Sequence, residues 1–325
     1  MEVFMKKIVV VLGLMFLVSL FLSPFTALAV TGETAQIGTP EVNEPSAGKA
    51  PSLTIEQEDK ELGWEKPMKE LTLSANYYLW SDNIFRGVNV SEYAGEGREQ
   101  PVHQMDVSGE YKFTKVFGVG GKFFASWAVA DNALWGNDRN IQELRYTPYL
   151  FADIEQIASR VMLGFNFFNY PNAPSGKNDD MEWYFQICHN DAWMWKALWP
   201  DNTKGVLNPF LFVAQNIDEA GGGMAALLGV NHPFDVPGIK YLTWNPQLSL
   251  AADHRLVGKL VADNPTTKML FINYGMTLSY NIAKALKLPP AVGDITVSGN
   301  LYYSQAFADY IHDVLYGGLQ VGWAW

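Results

Sequence analysis

Met269-Leu270-Phe271-Ile272-Asn273-Tyr274-Gly275-Met276-Thr277-Leu278-Ser279-Tyr280-Asn281-Ile282 reads as a strand with two unlike faces. Leu270, Ile272, Tyr274, Met276, Leu278, Tyr280 and Ile282 fall on one face. Asn273, Gly275, Thr277, Ser279 and Asn281 fall on the other, beside Met269 and Phe271. A period of two belongs to extended chain, because a helix would gather every third or fourth residue instead. The same alternation runs through Phe117 to Val129, Tyr241 to Asp253 and Ile295 to Ser304. In the first of these Phe124 is an exception, an aromatic among Gly118, Gly120, Lys122, Ser126 and Ala128.

Length and face chemistry separate two kinds of all-β fold. Strands of soluble sandwiches usually number about five or six residues, whereas a tilted strand needs about ten to cross a bilayer. Several of these runs reach the longer figure. Their second face is Asn, Ser, Thr and Gly rather than the charged mixture of a soluble surface, as a crowded, wet interior requires. Candidate strands lie at roughly 70–80, 102–113, 117–129, 142–154, 159–170, 181–191, 206–216, 223–232, 239–252, 268–282, 294–305 and 315–325. The expected fold is therefore an all-β, transmembrane, antiparallel up-and-down barrel of about twelve strands over residues 69–325. Its long connections, such as 81–101, 130–141, 171–180 and 253–267, belong on one side, and the short ones at 114–116, 155–158 and 233–238 on the other. The segment 192–205, with Trp193, Trp195 and Trp199, is longer than that scheme wants, and 218–222 is shorter. Pro148, Pro209 and Pro246 fall in strand candidates, where a missing N–H must be met by a bulge or a strand end.

The first 29 residues carry Lys6-Lys7, an apolar run from Ile8 to Leu22, and Ala27-Leu28-Ala29, the order of a secretory signal peptide. Residues 30–68 hold Pro40, Pro45, Pro51 and Pro67 among Gly, Ser, Thr and Glu, and read as a flexible periplasmic arm. Within it, Thr54-Ile55-Glu56-Gln57 would open a short helix. Export to the outer membrane of a Gram-negative bacterium follows, with membrane lipid and the barrel-assembly machinery as expected partners. Apolar residues make up 48% of the chain, yet its mean hydropathy is only −0.04, so the two kinds are finely mixed. The 11 Trp and 15 Tyr suit a membrane interface. A net charge of −11 argues against nucleic acid as a partner.

Chemistry is sparse. Cys188 is the single cysteine, so no disulfide forms within the chain. His103, His189, His232, His254 and His312 fit neither a zinc motif nor the His-x-Ser spacing of barrel lipid hydrolases. No enzyme, cofactor or metal is expected. If apolar positions face lipid, the lumen-lining set is Arg86, Asp106, Glu110, Lys112, Lys122, Glu143, Arg145, Asp153, Arg160, Glu182 and Asp253. These charges either pair across the lumen to hold its shape or select among solutes. Twelve strands stand between the side-chain-filled barrel of eight and the open channel of sixteen, which implies a narrow lumen.

The closing stretch, Leu315-Tyr316-Gly317-Gly318-Leu319-Gln320-Val321-Gly322-Trp323-Ala324-Trp325, alternates and ends on an aromatic. It resembles the C-terminal assembly signal of outer-membrane barrels, carried here by Trp323 and Trp325. Leu73-Ser74-Ala75-Asn76-Tyr77, Trp80-Ser81-Asp82-Asn83-Ile84-Phe85-Arg86-Gly87-Val88 and Pro101-Val102-His103-Gln104 resemble the opening motif of the TorF-like porin family. Asn83-Ile84 departs from the family's more usual Asp-Tyr, and the arm before it is longer. The resemblance implies an outer-membrane barrel with a channel role and no defined solute. The alternative is a non-conducting barrel that serves envelope structure or binding.

Overall fold

The computed structural model describes residues 70–82, 84–85, 88–89, 101–129, 141–171, 179–200, 203–218, 222–256, 267–309 and 311–325. The signal peptide, the arm and its short helix lie outside the described residues. Twelve long strands form one antiparallel sheet: β1 (Leu71–Trp80), β2 (Val102–Lys112), β3 (Phe117–Ala128), β4 (Ile141–Ile154), β5 (Ser159–Asn169), β6 (Asp179–His189), β7 (Phe210–Asn216), β8 (Met224–Asn231), β9 (Leu242–His254), β10 (Thr267–Asn281), β11 (Asp294–Ala306) and β12 (Val314–Ala324). Each pairs with its neighbour in sequence, and β12 returns to β1, so the sheet closes as a barrel. Two-residue strands add a small hairpin, Ile84–Phe85 with Val88–Asn89, and extend β9 through Phe234–Asp235.

Closure answers the problem of strand edges, since unpaired N–H and C=O groups are costly in hydrocarbon. The seam runs from Ser74 opposite Ala324 to Trp80 opposite Gly318. Beyond it Leu73 and Trp325 exchange backbone hydrogen bonds at 2.9 Å in both directions. The near end of the barrel is the one where β1 begins and β12 finishes.

Two bulges change faces that alternation alone assigns otherwise. Between β9 and β10 the register steps from Ala251–Phe271 to Ala252–Met269, leaving Leu270 as the extra residue. Leu270, expected on the apolar outer face, is instead buried, and its carbonyl receives the amides of Phe307 and Ala308. Met269, expected within, is exposed. Between β3 and β4 Gln142 is the extra residue, set between the pairs Ser126–Glu143 and Trp127–Ile141. An added residue shifts the period by one, so every side chain beyond it changes sides.

The prolines occupy places where no ladder donor is needed. Pro209 precedes β7, and its carbonyl accepts from the His189 amide. β8 ends at Asn231 opposite Gln247, so Pro246 lies just beyond its partner strand. The β4–β5 ladder lapses between Tyr146–Phe167 and Tyr149–Gly164, at Pro148, and there Thr147 donates to the Asn166 side chain at 2.6 Å.

The connection 190–209 is at the near end. Its described residues hold one helical turn, Ala192–Trp195, and are fastened by the buried Asp191. That carboxylate accepts the Trp195 indole N–H at 2.8 Å and the amides of Val206, Leu207 and Asn208 at 2.7 to 3.3 Å. Burial pushes the Asp191 pKa up, but these hydrogen bonds outweigh it and hold the carboxyl below its usual range. A depressed carboxylate stabilises the fold above its unfolded value of about 3.9, and that contribution is lost as pH falls through the lower folded value. Asp191→Ala removes the charged acceptor of these amides, at about 1.5–3 kcal/mol. Trypsin should then cut at Lys196 or Lys204 far faster, while the strands stay protected; unchanged cleavage would remove the fastening role.

Candidate functional site

The distribution of side chains is inverted relative to a soluble protein. Large apolar residues stand exposed on the outside, among them Leu315 at 66%, Leu150 at 59% and Leu228 at 55% of full accessibility. Polar residues are buried within, among them Glu182 at 2% and Asp253 and Thr277 at 1%. Register fixes these faces, because residues opposite one another on paired strands point the same way.

Ten of the sequence-derived candidates are described, and register puts them on the inner face: Asp106, Glu110 and Lys112 on β2, Lys122 on β3, Glu143, Arg145 and Asp153 on β4, Arg160 on β5, Glu182 on β6 and Asp253 on β9. Arg86 lies outside the described residues. Asp180, missed at the sequence level, joins them on β6 and receives two hydrogen bonds from Asn216. β1, β7, β8 and β12 contain no Asp, Glu, Lys or Arg, and apart from Asp253 on β9 and Lys268 opposite it on β10 most of the inner-face charge is gathered on the wall formed by β2–β6.

Within that wall the charges are matched. Arg160 presents a fork to Asp153, with Nε to Oδ1 at 2.7 Å and Nη2 to Oδ2 at 3.1 Å. Its Nη1 reaches Glu110 at 3.0 Å, and its plane covers the Phe151 ring at 4.5 Å. Lys112 joins Asp153 at 2.5 Å, and the Tyr149 hydroxyl donates to Glu110 at 3.0 Å. Arg145 pairs with Glu143 at 2.6 Å and lies over both Phe124 and Phe168, at 4.7 and 4.9 Å. That cation explains the aromatic exception on β3, since a guanidinium stacks on a ring face. Asp106 accepts from Asn76 at 3.0 Å and faces Lys122 at 3.8 Å.

The opposite wall, β9–β12, is neutral through its middle. Gln247 donates to the Tyr302 hydroxyl at 2.6 Å, Thr277 to Asn300 at 2.8 Å, and Ser279 meets Ser298 at 2.8 Å. Tyr302 and Tyr316 stack with centroids 5.2 Å apart, and Trp80 packs against both. Ile84 and Ile311, from the first and last far-end connections, join this cluster.

Beside the Asn, Ser, Thr and Gly of the polar face, the interior carries large aromatics, among them Tyr149, Phe151, Tyr184, Phe210 and Tyr302. Several are seated on a glycine of the adjacent strand. A Cβ at Gly120 would stand 2.3 Å from Tyr149, at Gly118 2.3 Å from Phe151, and at Gly275 2.4 Å from Tyr302. Gly229 and Phe210, Gly164 and Tyr184, and Gly318 and Trp80 repeat the arrangement. The one signal in the sequence is glycine at inward positions, which gives no partner.

One serine and histidine do meet, on the outer wall at the near end. Ser159 Oγ is 2.9 Å from His189 Nδ1, and the Trp193 indole donates to His189 Nε2 at 3.2 Å. An indole only donates, so Nε2 carries the lone pair and Nδ1 the proton in the neutral ring. Ser159 accepts that proton and donates its own to the Ile157 carbonyl at 3.0 Å. This polarity is the reverse of what activates a nucleophile.

The fold and the inverted surface define the class of outer-membrane-type barrels. No protein-family model and no curated protein sequence matches the chain, so the TorF-like resemblance rests on its first-hairpin residues. Among solved structures, the chain is similar to an outer-membrane channel from Pseudomonas putida F1, with a TM-score of 0.47 and 9% identity over 79% of this chain and 96% of that one. It is also similar to the KdgM porin, with a TM-score of 0.40 and 10% identity over 78% of this chain and 98% of that one. The corresponding values for the NanC porin are 0.38, 10%, 78% and 98%.

Proposed function

We propose that the chain is an outer-membrane channel for passive passage of small hydrophilic solutes through a narrow lumen. The supporting observation is the inversion itself: an exposed apolar exterior around a polar interior, which only a lipid surrounding makes favourable. The first-hairpin resemblance to the TorF-like porins points the same way. On the inner wall of β2–β6, six carboxylates (Asp106, Glu110, Glu143, Asp153, Asp180, Glu182) face four cations (Lys112, Lys122, Arg145, Arg160). That balance favours cations over anions. Planar-bilayer recording should give small unitary steps and a reversal potential of cation sign across a salt gradient.

A second reading, a non-conducting barrel with an envelope role, is favoured by one observation. Many polar inner-face side chains, such as Glu182, Asp253 and Thr277, are almost closed to water, and the Trp80, Tyr302 and Tyr316 cluster fills space toward the far end. A heat-modifiable, folded barrel that passes no current would decide for it.

A further inference from the structure

The connection 190–209 is too long for a near-end turn and exposes Trp193, Met194, Leu198 and Trp199. We propose that its residues 190–200 form a lipid-binding foot that lies in the headgroup layer of the periplasmic leaflet. The proposal rests on the membrane reading given above. Three features carry it.

The first is continuity with the lipid-facing exterior. On β6, Phe185, Ile187 and His189 alternate with the inward Tyr184, Gln186 and Cys188, so His189 belongs to the outer wall. Trp193 is hydrogen-bonded to His189 and meets its ring edge-on at 6.3 Å. The foot is therefore tied to the outside of the barrel, at its rim.

The second is fixed orientation. Asp191 holds the Trp195 indole on one limb and the amides of Val206, Leu207 and Asn208 on the other. Trp199 packs on Trp195 at 6.0 Å, so the exposed indoles sit on a braced turn. Ordering entropy that a loose loop would lose on contact is already lost on folding.

The third is charge. Lys196 is exposed between the two exposed indoles and has no acidic partner among the described residues. Lys204, by contrast, is paired with Asp235. An exposed ammonium among tryptophans matches a phosphate headgroup, since indoles settle at the boundary of apolar and wet layers.

The test uses the full chain with Cys188→Ala, carrying either Leu198→Cys or Leu228→Cys and an environment-sensitive fluorophore. The protein is reconstituted into phosphatidylethanolamine and phosphatidylglycerol vesicles that hold a nitroxide on the headgroup or at mid-chain. Leu228, exposed at the middle of β8, reports the barrel itself. The expected result is loss of Leu198 emission with the headgroup nitroxide only, and loss of Leu228 emission with the mid-chain one. A Leu198 label quenched by neither, with Leu228 quenched, overturns the foot and leaves the surface to water or a protein partner. Leu198 quenched mainly at mid-chain also overturns the headgroup placement. A Leu228 label quenched by neither overturns the membrane reading and the foot with it.

Discussion

Trp323→Ser together with Trp325→Ser is expected to leave the chain without a folded, heat-modifiable form. Trp323 faces outward between Ala75 and Ile295, and its indole donates to the Val292 carbonyl at 2.7 Å. Trp325 ends the strand and exchanges backbone bonds with Leu73. Serine would keep those backbone bonds but remove the apolar area that draws this strand into lipid. A tryptophan offers about 150–250 Å² of such area, so at ~25 cal/mol/Å² the upper bound is about 4–6 kcal/mol for each ring. Losing both is comparable to the whole stability of an ordinary domain, about 5–15 kcal/mol. The seam has no reserve, because an undocked β12 exposes the edges of β1 and β11 together. Gel migration with and without heating reads the outcome, with the double phenylalanine variant as the conservative control. A normal heat-dependent shift in the serine variant would remove the assembly role of these residues.

Arg160→Met is expected to cost about 1.5–3 kcal/mol, the usual worth of hydrogen bonds to charged groups, since the network is only partly buried. The cost comes from what stays behind. Glu110 keeps only the Tyr149 hydroxyl and Asp153 keeps only Lys112 among the contacts described above. Combining Arg160→Met with Glu110→Gln and Asp153→Asn should recover most of the loss, because the stranded charges are gone. Denaturant midpoints of the folded, reconstituted barrel measure both. Equal midpoints for wild type and Arg160→Met would show that the network contributes nothing to the fold. Equal loss in the single and triple variants would show that packing on Phe151, rather than charge, is what Arg160 supplies.

The strands were legible because each face has its own chemistry and the period is short. Ile295 to Ser304 and Leu315 to Trp325 needed no partner to be read. Boundaries failed where the backbone turns away from extended geometry. β7 starts at Phe210 rather than 206, since Asn208 has a φ of 37° and Pro209 follows it. β9 starts at Leu242, after Tyr241 at a φ of 65°. The bulges at Gln142 and Leu270 left no mark, because one added residue in an alternating run looks like an ordinary exception. The charged wall was present in the residues of β2–β6 but became visible only when their inner faces were laid side by side. The aromatic seats were hidden for the same reason: Gly275 and Tyr302 lie on different strands, and neither predicts the other.

Those seats bear on how the barrel finds its alignment while it assembles. A slip of one residue between neighbours would turn every polar side chain into lipid, so face chemistry alone rejects it. A slip of two residues keeps all faces correct, and face chemistry is blind to it. The rings are not. Displaced by two, Tyr302 would meet Asn273 or Thr277, Phe210 would meet Leu227 or Asn231, and Tyr184 would meet Met162 or Asn166. Trp80, at the seam between β1 and β12, would strike Tyr316 or Gln320. Each collision costs about 1–3 kcal/mol as overpacking, and several arise from different neighbour pairs. The glycines therefore work as a proofreading code, distributed around the ring, against the one alignment error that a two-faced strand cannot detect by itself.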